Sequence, residues 1–113
     1  VKNECLFCAI VAREIPATVV YETDTTLAFR DINPHAPTHV LVVPKNHVRD
    51  AGELAEAGLA DDVIKTAKAV AVAEGIAESG YRLVLNTGPD SGQSVFHAHL
   101  HLLGGAPLTL QMG

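Results

Sequence analysis

The chain has 113 residues, enough for one domain with a single core and too few for a catalytic domain joined to a regulatory one. With 13 acidic against 8 basic residues its net charge is −5, so no surplus of Lys and Arg exists to displace counterions from a nucleic acid. An anionic small substrate stays open, because backbone N–H groups can hold phosphate without net positive charge.

Residues 5–12 form the longest apolar run, far short of the ~20 residues of a membrane span. No basic segment leading into an apolar one opens the chain, so the expectation is a soluble cytoplasmic protein without a membrane partner. Residues 6–13 read as a short helix, with Leu6, Phe7, Ile10 and Val11 on one side and Pro16 beyond its end. Cys5 and Cys8, the only cysteines, are too close in sequence to staple a domain and fit a reducing compartment. The C-x-x-C spacing leaves three readings: a redox pair, a metal site, or thiols packed as small apolar residues.

Residues 18–21 and 26–31 read as two strands of a hairpin, turned at 22–25. Asn33-Pro34-His35-Ala36-Pro37 is a loop, because Pro disfavours helix at the residue before it. Residues 39–43 follow as an apolar strand, buried on both faces and ended by Pro44. From about 59 to 78 the chain predicts an amphipathic helix, with Leu59, Val63, Ala67 and Val70 on one face and Gly80 placed to terminate it. Residues 81–86 and 95–103 are further strands, joined by a loop over 87–94 rich in Gly, Pro, Asp and Ser. No repeat or linker divides residues 1–113, and the element order lacks a regular βαβ alternation. A single α+β domain with a mostly antiparallel sheet is expected.

All six histidines fall in three stretches: His35 and His39, then His47, then His97, His99 and His101. On a strand, residues two apart share a face, so the last three should line one side while Phe96, Ala98, Leu100 and Leu102 line the other. At ~3.3 Å per residue the outer two are roughly 13 Å apart, too far to bind one ion together without distortion. Different roles follow, and the middle imidazole is a candidate attacking group. A solvated polar face and a metal site are the competing readings of the same pattern.

The segment His97-Ala98-His99-Leu100-His101-Leu102-Leu103 resembles the signature of the histidine-triad (HIT) superfamily, His-φ-His-φ-His-φ-φ with φ apolar. The resemblance extends to Asp31-Ile32-Asn33-Pro34, Ala36-Pro37-Thr38-His39, Pro44-Lys45-Asn46-His47 and Gly92-Gln93-Ser94-Val95. Leu103-Gly104-Gly105 is similar to the Hint branch rather than to Fhit or the galactose-1-phosphate uridylyltransferases. The resemblance implies the HIT fold, a five-stranded antiparallel sheet with two helices, the sheets of two subunits joining in a homodimer. It also implies a hydrolase that cleaves purine nucleoside 5′-phosphoramidates, derivatives of AMP or GMP, through a nucleotidyl-histidine and without a catalytic metal. A dinucleoside polyphosphate hydrolase and a non-catalytic nucleotide- or partner-binding module are the alternatives.

Residue by residue, the resemblance makes His99 the nucleophile and the C=O of His97 the acceptor of its other ring proton. His101 stands near the leaving group and His39 supports the triad. Gln93, Ser94 and Val95 match a phosphate-binding loop end, Asn86 a polar residue at the phosphate end of the pocket, and Asp31 the ribose-binding carboxylate. Leu6, Phe7, Ile10, Phe29 and Ile32 match walls around the base. Read without the resemblance, Asp31 is equally a turn-starting residue and those five are core. Cys5, Cys8, His47 and His97 match a structural zinc site, two thiolates and two imidazoles being a closed tetrahedral set. Residues 106–113 depart from the Hint pattern, lacking an Arg after Gly-Gly and any tryptophan, which bears on leaving-group preference.

Overall fold

Side-chain alternation along the strands decides which residues meet which helix. The computed structural model describes residues 4–109. Its five strands are β1 (Val19–Glu22), β2 (Thr26–Arg30), β3 (Thr38–Pro44), β4 (Tyr81–Val84) and β5 (Leu100–Gly104), paired antiparallel throughout in the order β1-β2-β3-β5-β4. Three α-helices accompany them: α1 (Leu6–Val11), α2 (Ala51–Glu56) and α3 (Ala60–Ala73).

One face of the sheet carries Ala28, Val40, Val42, Leu100 and Leu102, packed against Val63, Ala67 and Val70 of α3. The other carries Leu27, Phe29, Leu41 and Val43, packed against Phe7 and Ile10 of α1. Period-2 geometry therefore sends His39 and Leu41 of β3 to the α1 side, and the register pairs Leu41 with His101. β3 is buried along its whole length, as expected of a strand covered on both faces.

Three expectations need correction. Among the described residues there is a third α-helix, α2, and a 3₁₀ turn at Pro89–Ser91, where the sequence predicted two helices in all. Asp50 caps α2 by accepting from the Glu53 N–H at 3.1 Å, while Glu53 accepts from the Arg49 N–H at 2.8 Å, a reciprocal pair of the capping-box kind. α3 stops at Ala73, well before residue 78, because Gly75 takes φ +74° and the N–H groups of Gly75 and Ile76 bond back to Val72 and Ala71. Buried Ile76 completes that terminus.

The third correction concerns the histidine-bearing strand. β5 begins at Leu100, not at 95, so His97 and His99 precede the ladder instead of lying within it. The Ala98 N–H bonds to the Val48 C=O at 2.7 Å, and the C=O of His97 is taken by a side chain, His99. Backbone groups so engaged are not available for strand pairing. No helix among the described residues is long and apolar enough to cross a membrane.

Candidate active site

A chain of hydrogen bonds orders the protons of two histidines. The His35 N–H donates to His39 Nδ1 at 3.0 Å, which leaves the His39 proton on Nε2. That Nε2–H donates to His101 Nδ1 at 2.9 Å, so the His101 proton lies on its own Nε2. Burial, then repulsion from His99 and His39, pushes His101 down to about 4, and burial also holds His39 below the ordinary imidazole value. Asp31 Oδ2 lies 3.5 Å from His39 Nε2. Asp31, His39 and His101 stand within metal-ligating distance of one another, but the lone pair of His39 Nδ1 is claimed by a backbone donor. The wiring suits a proton held between two imidazoles better than a cation.

His99 is fixed by a different bond. Its Nδ1 lies 2.8 Å from the His97 C=O, which can only accept, so Nδ1 carries the proton and Nε2 keeps a lone pair. Burial holds this ring below its ordinary value, against the opposing effect of the His97 carbonyl, so the imidazole is neutral near pH 7. Phe7 meets the ring edge-on at 4.9 Å between centroids, and His101 stands at 5.1 Å.

His99 and His101 open into a cavity of about 380 Å³, within the range of small-ligand sites. Leu6, Phe7, Ile10, Phe29 and Ile32 form its apolar walls, and Asp31, Ser94 and Val95 line it as well. Ten of the residues singled out from the sequence thus converge. Asp31 serves both of its readings in part: Oδ1 accepts from the Asn33 N–H at 2.8 Å as a turn residue, while its carboxylate still faces the cavity. Ile15, Pro16, Ala17 and Leu41 also line the cavity and were missed; Leu41 was within reach, lying two positions beyond His39 on one face of β3. Arg30, another missed residue, is the sole Lys or Arg of the lining, and both of its bonds, at 2.9 Å each, go to Glu74.

His39, His97, Gln93 and Asn86 do not line the cavity. Asn86 is half-buried just after β4. The amide of Gln93 turns into its own loop, bonding to Gly88, Arg49 and Val95.

His97 belongs to a second cluster. It is fully buried, and its Nε2 lies 2.8 Å from the Pro44 C=O, so Nε2 carries the proton and Nδ1 presents a lone pair. That lone pair faces Cys8 Sγ at 3.4 Å and Cys5 Sγ at 3.5 Å, and His47 Nδ1 lies 3.2 Å from Cys8 Sγ. All four ligand atoms are within 4.8 Å of one another. A carbonyl orienting the outer nitrogen of a ligating imidazole is the usual support of a metal-bound histidine. Burial, then the hydrogen bond and charge of Cys5, pushes the Cys8 thiol up to about 11, a cost that a bound dication would reverse. The donor set fits a tetrahedral metal. Residues 110–113 of the atypical C-terminal stretch lie outside the described residues.

The family profile of the HIT domain matches residues 12–108. The chain is 48% identical over 109 residues to the purine nucleoside phosphoramidase of Escherichia coli K12, covering 94% of this chain and 91% of that one. It is 46% identical over 114 residues to a 14 kDa zinc-binding protein of Zea mays, covering 96% and 87%. The crystal structure of a HIT family hydrolase from Legionella pneumophila matches with a TM-score of 0.91 at 49% identity, over 97% of this chain and 100% of that one.

Proposed function

The chain belongs to the HIT family of hydrolases, and on that premise we propose that it cleaves the P–N bond of purine nucleoside 5′-phosphoramidates through a nucleotidyl intermediate on His99. The observation that carries this reading is the His99 ring itself: a neutral imidazole, its tautomer set by the His97 carbonyl, beside a cavity of nucleotide size. The similar enzyme of E. coli, named for phosphoramidase activity, supports the choice of bond.

The base would lie between Phe7, Ile10, Leu6, Phe29 and Ile32, the ribose against Asp31, and the phosphate near Ser94 and Val95, with Gln93 and Asn86 behind the cavity lining. His101 stays neutral, its Nδ1 accepting from the His39 Nε2–H, and its own Nε2–H is free to donate to the departing group. His99 Nε2 attacks the α-phosphorus, the P–N electron pair leaves with the nitrogen, and that nitrogen, hydrogen-bonded by the His101 Nε2–H, takes a proton from solvent. Water then attacks phosphorus, giving up a proton to solvent, and the His99–P bond breaks. The free imidazole and the nucleoside monophosphate are regenerated. His39 holds the outer nitrogen of His101 throughout.

Cys5, Cys8, His47 and His97 would hold one zinc ion, which ties α1 to the segment bearing the triad. Four protein ligands leave no position for substrate, so the site is structural. A homodimer joined through the sheets is supported by β4, which among the described residues pairs only with β5 and leaves its other edge open with Leu83 exposed. A cytoplasmic location fits the unpaired thiols. The deciding experiment compares turnover of adenosine 5′-phosphoramidate with that of diadenosine polyphosphates. Preference for the phosphoramidate is expected; preference for the polyphosphate, or no turnover of either, overturns the reading.

A further inference from the structure

The loop between β4 and the triad contains one polar side chain, Gln93, that is 5% exposed and has both donors and the oxygen of its amide engaged. Its Oε1 accepts from the Gly88 N–H at 2.8 Å, and its Nε2 donates to the Arg49 C=O at 2.7 Å and the Val95 C=O at 3.1 Å. Three stretches of backbone meet at this amide: the start of the loop, its end, and the segment before α2. The loop needs such a tie, since Gly88 and Gly92 both take positive φ (+84° and +93°), a path with many alternatives for a flexible chain.

The clamp holds the stretch that lines the cavity. Ser94 and Val95 follow Gln93 directly and stand with His99 in the cavity wall. Among the described residues the N–H groups of Ser94 and Val95 have no hydrogen-bond acceptor, whereas the Gln93 N–H is turned back to Gly88. Arg30, the only permanent cation of the lining, is spent on Glu74. An anion in this cavity thus depends on neutral donors, which work only when their directions are fixed beforehand.

We propose that Gln93 is a positioning residue: its buried amide locks the 88–95 loop so that the Ser94 and Val95 N–H groups are presented to a substrate phosphate, while the side chain itself never touches substrate. The inference rests on the nucleotide-hydrolase reading of the cavity, and it replaces a direct phosphate contact by Gln93 with an indirect one. No other side chain in the loop has this geometry: Ser91 bonds only to the Gly88 C=O, and Asp90 is exposed.

The test separates phosphate recognition from general loosening. Gln93→Glu keeps the shape but turns two donors into an oxygen facing two carbonyls. Affinities for AMP and for adenosine are measured by calorimetry, alongside kcat and KM for adenosine 5′-phosphoramidate. AMP affinity should fall by about tenfold or more and kcat should drop, while adenosine, held by Asp31 and the apolar walls, should bind within about threefold of the parent. Equal weakening of AMP and adenosine, or an unchanged AMP affinity, overturns the proposal. Should Gln93→Glu not fold, Gln93→Met, of equal length and uncharged, carries the same expectations. A parent protein that binds AMP no better than adenosine removes the nucleotide reading itself, and that result is visible before any variant is made.

Discussion

His99 Nδ1 lies 2.8 Å from the backbone C=O of His97, so the tautomer of one histidine is set by the peptide of another that faces away from it into a different cluster. His99→Ala should abolish turnover yet keep AMP affinity within about tenfold, because the imidazole contributes mainly in the transition state. Turnover at a tenth of the parent rate or better would dismiss His99 as the nucleophile.

Buried histidines also give the fold a pH dependence. In the folded state His101 titrates at about 4 against an ordinary 6.5, so between these values the unfolded chain binds more protons. Its contribution to stability is full above about 6.5 and is lost as pH falls toward 4, and His39, lowered by burial, acts with the same sign. The melting temperature should drop by several degrees from pH 7 to pH 4.5. His101→Gln should flatten that slope; a slope unchanged in the variant would mean that His101 titrates normally.

A zinc ion held by Cys5, Cys8, His47 and His97 would make a separate claim on stability. Metal analysis of protein purified without chelators should find about one zinc per chain. Cys8→Ala should lower the melting temperature by roughly 10 °C while changing turnover at 15 °C by less than about threefold, since a metal there would tie α1 down without touching substrate. Protein that carries no zinc, or a variant as stable as the parent, counts against the site.

Asp31 offers a test of sugar recognition. Bonds from ribose hydroxyls to a charged acceptor are worth roughly 1.5–3 kcal/mol, a preference of about ten- to a hundredfold for ribo- over 2′-deoxyribonucleotides. Asp31→Asn should shrink that ratio, measured as kcat/KM for AMP- and dAMP-based phosphoramidates. If Asp31 acts only as the turn residue that accepts from the Asn33 N–H, stability falls and the ratio stays where it was.

What could be read from the sequence divides by range of interaction. β3 and its burial follow from an uninterrupted apolar run, and α1 from local periodicity. α2 carried a signal as well, since Asp50 and Glu53 stand at capping-box spacing, but six residues give too little periodicity to draw notice. The equal spacing of His97, His99 and His101 pointed to one strand, and here local pattern misled: partners far along the chain, Cys5, Cys8 and Pro44 for His97 and His39 for His101, decide where each ring goes. The commitment of Gln93 to its own loop, of Arg30 to Glu74, and the place of Pro16 and Ala17 in the cavity depend on tertiary contacts that no spacing announces.

Among the described residues the helix α1 and its cap join the sheet through side chains, Phe7 and Ile10 on the sheet and Cys5 and Cys8 toward His47 and His97, and the helix precedes residue 12, where the shared family profile begins. The reacting half of the cavity is built into the sheet and the segment leading to it, whereas much of the apolar half is delivered by this docked piece. The two halves are therefore attached to the fold in different ways. Substitutions at Leu6 and Ile10 should reshape what the cavity accepts without disturbing the hydrogen bonds among His35, His39 and His101, whereas Phe7, edge-on to the His99 ring, belongs to both halves.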